Sequence, residues 1–428
     1  MVNCDYYMKN KASTKKFILS NKEKLLFQGS SIFKPKIIKD LIPKGLSIYT
    51  FNAGFKKVYD DLLIIIFDRA VSSFSVFSKT TTPSAPIIWN KKNNSNKTKA
   101  LIINSGNANA HTGNDGLKII DKYVEVLNRK FNFKKKEVLI CSTGVIGEIF
   151  DPNLISNKIL LINNKKKGSL LDAAKTITTT DTFPKIIIKN VKIDNTFFKI
   201  YGIAKGSGMI QPNMGTMLVN IFVEAKVSVS ILKKIVKINL ENTFNSISVD
   251  SDTSTSDTLS IFSLNLCNIN LNKKNNFIKL NKYINHIMRD LALQVIKDGE
   301  GITKLIEASV TGAKSKKQAK NIAFSIVNSP LVKTAIFGED ANWGRVIMAI
   351  GKSRENIIQD KIKIYFGSYL LCKSGKINPK INILKINKYM KDKFIKIRVD
   401  LGIGINNHKV YGNDLSYDYI KINSDYRS

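Results

Sequence analysis

Over most of this chain the apolar residues fall in short runs between polar breaks. From 57 to 105 the runs Leu62–Phe67, Phe74–Phe77, Pro86–Trp89 and Leu101–Ile103 have strand length and read as strands. Helical spacing takes over at Gly116–Lys130, and again at Val227–Asn242, Tyr283–Lys297 and Lys316–Asn328. Val138–Cys141 is a strand that enters a small-residue turn, Ser142-Thr143-Gly144-Val-Ile-Gly147. Phe183–Ala204 reads as strands, Met217–Val223 as a fully buried strand and Leu305–Gly312 as another, and strands fill 361–405. The tail from Asp414 alternates apolar and polar residues, which predicts a docked strand. The mixture predicts an α+β fold. No repeat of 20–50 residues is evident, and no apolar run approaches the ~18 residues of a membrane helix, so no membrane partner is expected.

Composition adjusts this picture only slightly. With 428 residues and 43% hydrophobic positions the chain can build two or three domains' worth of core. The net charge of +35 raises the question of nucleic acid. The lysines are dispersed, however, and rise together with Asn and Ile, a pattern that A/T-rich codons produce without a partner; no nucleic-acid partner is expected, and a basic nucleic-acid-binding protein stands as the alternative from another class. Four cysteines without CxxC spacing indicate neither a disulfide framework nor a zinc site and fit a reducing, cytoplasmic setting. Three histidines and no GxSxG elbow leave little for a metal site or a Ser-His-Asp hydrolase. Residues 1–42 form a basic lead-in, read as an added surface segment.

The chemistry concentrates at Lys205-Gly-Ser-Gly-Met-Ile-Gln-Pro-Asn-Met-Gly215-Thr216-Met-Leu, a glycine-punctuated loop running into the buried strand. A threonine hydroxyl is a weak nucleophile without a base beside it. Cutting the chain before Thr216 would free an α-amine that titrates near about pH 7.7–8.0 and reaches its own Oγ. Gly215 permits the backbone conformation such a cut needs. The plain reading of the same residues is a loop leading into a core strand.

Lys205-Gly-x-Gly-Met-Ile-x-Pro-Asn-Met-x-Thr216-Met-Leu resembles the self-cleavage segment of the ornithine acetyltransferase family, also called glutamate N-acetyltransferases. Further matches keep the family's order from residue 43 to the last residue: Asn104-Ser-Gly-Asn-Ala-Asn-Ala110, Thr179-Thr-Asp181, Val249-Asp-x-Asp-Thr-Ser-Thr-x-Asp-Thr258, Asp298-Gly-Glu-Gly-x-Thr-Lys304, Asn342-Trp-Gly-Arg345 and the tail. The departures are Gly215 for the usual Ala, Ser256 for Asn, Ala341 for Pro and Ser428 for the frequent Thr. The resemblance implies Thr216 as nucleophile, cleavage between Gly215 and Thr216, and Thr143 and Gly144 as the oxyanion hole. It implies Thr179, Lys205, Thr216, Glu300, Asn423 and Ser428 as substrate ligands. The Ser248–Thr258 loop is read as architectural support, Trp343 as core, and Arg345 as a candidate carboxylate partner or a structural ion pair.

The implied fold is one of layered α/β sheets, similar to but distinct from that of N-terminal nucleophile hydrolases. Residues 43–215 and 216–428 become α and β chains that stay packed together, two of each. The implied reaction is ping-pong acetyl transfer from N-acetylornithine to glutamate in arginine biosynthesis. It needs no metal and no dissociable cofactor, with acetyl-CoA as a candidate co-substrate. The nearest alternative is a self-processed amidohydrolase or aminopeptidase of similar architecture, against which Lys205, Glu300 and the tail argue.

Overall fold

The computed structural model describes residues 32–33, 40–164, 166–211 and 217–425. Two sheets organise them. The first comprises β1 (Leu46–Phe51), β2 (Leu62–Phe77), β3 (Lys97–Asn107), β4 (Val138–Val145), β5 (Lys185–Ile193), β6 (Thr196–Lys205) and β7 (Leu218–Ala225). A short β8 (Ile247–Ser248) leaves for the second sheet, and β9 (Thr258–Cys267) returns to the first. The order is β4-β3-β2-β9-β7-β6-β5, with β1 also on β2. The second sheet contains β10 (Leu305–Ala313), β11 (Lys363–Phe366), β12 (Tyr369–Lys373), β13 (Lys376–Ile377), β14 (Phe394–Asp400) and β15 (Asn406–Asn413), in the order β13-β12-β11-β14-β10-β15-β8.

The continuous apolar runs are buried on both faces. Along β2, Leu62 and Ile64 pack with the helices Gly113–Phe131 and Asn153–Leu160, while Leu63, Ile65 and Phe67 face a second core. That second core holds a stack of aromatic rings, Tyr201 on Phe222 at 5.6 Å and Phe222 on Phe262 at 5.3 Å. In β7, Val219, Ile221 and Val223 face the long helix Lys274–Ile296, whose Leu280, Ile284, Ile287, Leu291 and Val295 form one apolar stripe. Helices Lys316–Val327, Pro330–Phe337, Trp343–Lys352 and Ile383–Met390 flank the second sheet, and all of them place apolar side chains in its core. The architecture is one of layered α/β sheets, as the family resemblance implies.

Several local expectations are corrected. Pro86–Trp89 lies in a helix, Ala85–Asn93, with Pro86 in its first turn, where a missing N–H costs nothing. Leu62–Phe67 and Phe74–Phe77 belong to one strand, whose register shifts between Ile66 and Val71. The 361–405 region includes the helix Ile383–Met390, capped by Asn382. The tail is a helix, Tyr417–Ser424, opened by Ser416, whose hydroxyl accepts the N–H of Tyr419. Arg345 donates to the Leu331 carbonyl (2.8 Å) and to Thr334 Oγ1 (3.2 Å), so it staples two helices; it makes no ion pair among the described residues. Trp343 packs at the edge of the second sheet's core, as expected. Among the described residues no helix is long and apolar enough to cross a membrane.

Candidate active site

Lys205 ends β6, a strand whose other residues from Ile200 onward are buried, so its ammonium is carried into the protein. There Nζ donates to Thr143 Oγ1 (3.1 Å) and to Thr179 Oγ1 (2.8 Å). Both hydroxyls act as acceptors toward the ammonium, so each keeps its own hydrogen to donate elsewhere. Burial pushes the Lys205 pKa down, and the charges of Asp181, Asp257 and Glu300 resist that shift. In the sheet register Lys205 lies opposite Leu218, two residues after Thr216.

Thr143 and Gly144 close β4, paired in parallel with Ser105 and Gly106 of β3. Gly144 has φ +134°, and a Cβ there would stand 2.2 Å from the carbonyl carbon of Gly106. Only glycine fits such a turn beside a neighbouring backbone. The other end of the site is a carboxylate. Glu300 is buried, its N–H donates to the Ser207 carbonyl (3.2 Å), and Asn423 Nδ2 from the tail helix donates to Oε2 (2.9 Å). Gly208 makes room for it, because a Cβ at that position would come within 2.3 Å of the Glu300 carboxylate.

Loops far apart in sequence are tied together underneath by a buried ion network. Lys185 Nζ bonds Asp181 at 2.5 Å and Asp298 at 2.6 Å, and all three side chains are wholly buried. Asp298 also accepts the backbone N–H and the hydroxyl of Thr182. Asp181 in turn accepts the N–H of Gly206 (2.8 Å), just after Lys205. Burial alone would raise the Asp181 pKa, but the Lys185 and Lys205 charges outweigh it and hold that carboxyl below the usual range. For Asp298 burial wins and its pKa is raised; for Lys185 the two carboxylates overcome burial and raise it. The network fixes the Thr179 loop, the Lys205 strand end and the Glu300 turn relative to one another.

The Ser248–Thr258 loop supports the segment from both sides. Asp250 accepts the N–H groups of Met209 (2.6 Å) and Ile210 (2.8 Å), and the Asp252 carbonyl accepts that of Gln211 (2.8 Å). Beyond residues 212–216, Thr258 N–H donates to the Met217 carbonyl (3.0 Å). Asp257 is buried, and burial raises its pKa well above the carboxylate range despite Lys205 nearby. The loop therefore grips both flanks of the expected cleavage site, which is the supporting role assigned to it.

Of the residues singled out in the sequence, Lys205, Thr143, Gly144 and Thr179 come together directly, and Glu300 with Asn423 forms the facing group. Gly215, Thr216 and Ser428 lie outside the described residues. One residue near the site carried no signal in the sequence. Lys56, half-buried before β2, donates through Nζ to the carbonyls of Thr178 (2.6 Å) and Thr176 (3.3 Å). Nothing in a lone lysine of a lysine-rich chain marks it; only the fold brings it to the Thr179 loop.

A buried cation held by two hydroxyls, a glycine turn beside it and a carboxylate on a nearby turn thus come together at one place in the fold. The ArgJ family model matches residues 47–428. The arginine biosynthesis bifunctional protein ArgJ of Mesorhizobium japonicum is 41% identical over 408 residues, covering 93% of this chain and 99% of that protein. The protein of the same name from Bartonella henselae is 42% identical over 391 residues, covering 90% and 95%. A crystal structure of the arginine biosynthesis bifunctional protein from Bacillus halodurans aligns at 38% identity over 49% of this chain and 100% of that one, with a TM-score of 0.46. The chain belongs to the ArgJ family, and with it to the acyltransferase enzymes of arginine biosynthesis.

Proposed function

We propose that the chain is a glutamate N-acetyltransferase that carries acetyl from N-acetylornithine to glutamate on Thr216, after cutting itself between Gly215 and Thr216. The observation that carries this reading is the Lys205 ammonium, held by Thr143 and Thr179 in register with Leu218 and within the field of Glu300. It supplies a cation for the carboxylate common to both substrates, beside the strand that Thr216 precedes.

In self-cleavage, Thr216 Oγ attacks the Gly215 carbonyl, the acyl group shifts from nitrogen to oxygen, and water hydrolyses the ester. The new α-amine is the base for the mature enzyme. It takes the Oγ proton while Oγ attacks the acetyl carbon of N-acetylornithine. The tetrahedral oxyanion accepts hydrogen bonds from the Thr143 hydroxyl and the Gly144 N–H. Collapse breaks the C–N bond, the leaving amine takes the proton, and ornithine departs. The glutamate amine then attacks the acetyl ester by the reverse sequence, giving N-acetylglutamate and free Thr216 Oγ. Glu300, oriented by Asn423, suits the ammonium of ornithine. The α and β chains remain one body because β6 and β7, on either side of the cut, pair along Ile200–Lys205; two of each make the proposed assembly. The word bifunctional in the relatives' names supports a second acetyl donor, for which acetyl-CoA is proposed.

N-terminal sequencing of purified protein together with initial rates tests the reading. A fragment starting at Thr216 and parallel-line kinetics in N-acetylornithine and glutamate are expected. An uncut chain, or acetate released at the same rate without glutamate, would overturn it.

A further inference from the structure

The proposed reaction poses a charge problem that its residues so far leave open. The donor's side chain ends in an ammonium and the acceptor's in a carboxylate, yet one pocket must take both. Glu300 answers the first. Of the cations around the site, Lys185 is wholly buried and saturated by Asp181 and Asp298. Lys304 is tied to Glu339 and to the carbonyls of Met390 and Asp392, and the buried Lys333 donates to the Val249 carbonyl. Lys205 lies beside the strand of the nucleophile and serves the α-carboxylate.

We infer that Lys56 is the specificity-determining residue for the acceptor, its ammonium receiving the side-chain carboxylate of a dicarboxylic amino acid. Its Nζ rests on the carbonyl of Thr178, one peptide from Thr179, whose hydroxyl binds Lys205 Nζ. Two ammonium groups thus flank one dipeptide, a match for a substrate with two carboxylates. The Thr178 and Thr176 carbonyls use at most two of the three N–H donors of Lys56. Among the described residues Lys56 makes no ion pair: both oxygens of the nearby Asp61 are taken by the backbone N–H groups of Ala53 (2.7 Å) and Lys56 itself (2.8 Å). The charge is anchored but not neutralised by contact, and the side chain is half-buried.

Burial brings the Lys56 pKa down to about 8, against the attraction of Asp61, Asp181 and Asp60 and with the repulsion of Lys205. Lys56 is therefore largely charged at pH 7 and loses its charge as pH rises through 8. Acceptor binding should weaken over that range.

The inference rests on the proposed acetyl transfer, and its test separates the two. In a single-turnover experiment on the processed enzyme, acetyl-enzyme formation from N-acetylornithine is measured by mass. Its discharge is then measured with glutamate, with glutamine and with ornithine. For K56M the concentration of glutamate giving half-maximal discharge should rise about 10- to 100-fold. Acetyl-enzyme formation and discharge by ornithine should stay within about threefold, and K56R should recover most of the loss. Glutamine should be a poor acceptor for the native enzyme and little affected by K56M. Equal losses in both half-reactions would mean that Lys56 merely orders the Thr176–Thr179 backbone, and no change would remove it from the site; either overturns the inference. If the native protein forms no acetyl-enzyme, the proposed reaction itself fails, a result visible before any variant is made.

Discussion

The two ends of the site are built differently. The Lys205 end sits on strand termini of the first sheet, and wholly buried charges lock it underneath. The Glu300 end sits on a turn and is completed by Asn423, from a helix with no buried residue. One end is preorganised by the core. The other shares that network through Asp298 but is finished at the periphery by Asn423. Chemistry that must not move belongs to the first, and recognition of the donor's ammonium to the second.

Replacing residues at each end should expose this asymmetry. The largest effect is expected from Lys205→Met, which removes the cation and leaves the Thr143 and Thr179 hydroxyls without their donor. The kcat/KM for both half-reactions should fall about 100-fold or more; a loss confined to one substrate would break the idea of a shared carboxylate site. Lys185→Met strands two buried carboxylates and should cost about 3–5 kcal/mol of stability, read from urea unfolding. A cost near zero would mean that the network does not hold the site together. Gly208→Ala forces a methyl against the Glu300 carboxylate and should raise KM for N-acetylornithine about tenfold with little change in kcat. The smallest effect belongs to Asn423→Ala, which removes one peripheral hydrogen bond; about threefold in KM for N-acetylornithine is expected. If it matched Lys205→Met, the peripheral end would be as integral as the core.

The same asymmetry explains what was legible in the sequence. β7, within a Met217–Val223 run that is apolar except for Asn220, and the glycine turns at Thr143 and Glu300 depend on local pattern and could be read directly. Pro86–Trp89 could not, because four apolar residues carry no period and Pro at a first helical turn resembles a strand break. The tail's alternation of Leu415, Tyr417 and Tyr419 was a strand signal that Ser416 overrode by capping a helix. Asp181, Lys185 and Asp298 were visible only as parts of motifs; their association spans 113 residues between Lys185 and Asp298 and requires the fold. Lys56 had no pattern at all.

The most direct test of the central claim is tandem mass spectrometry of the purified protein quenched after brief exposure to N-acetylornithine. The prediction is a chain beginning at Thr216 that carries one acetyl group on that residue and loses it when glutamate is added. An acetyl group on any other residue, or none on a chain correctly cut at Thr216, would contradict the assignment of Thr216 as the residue that carries the acyl group.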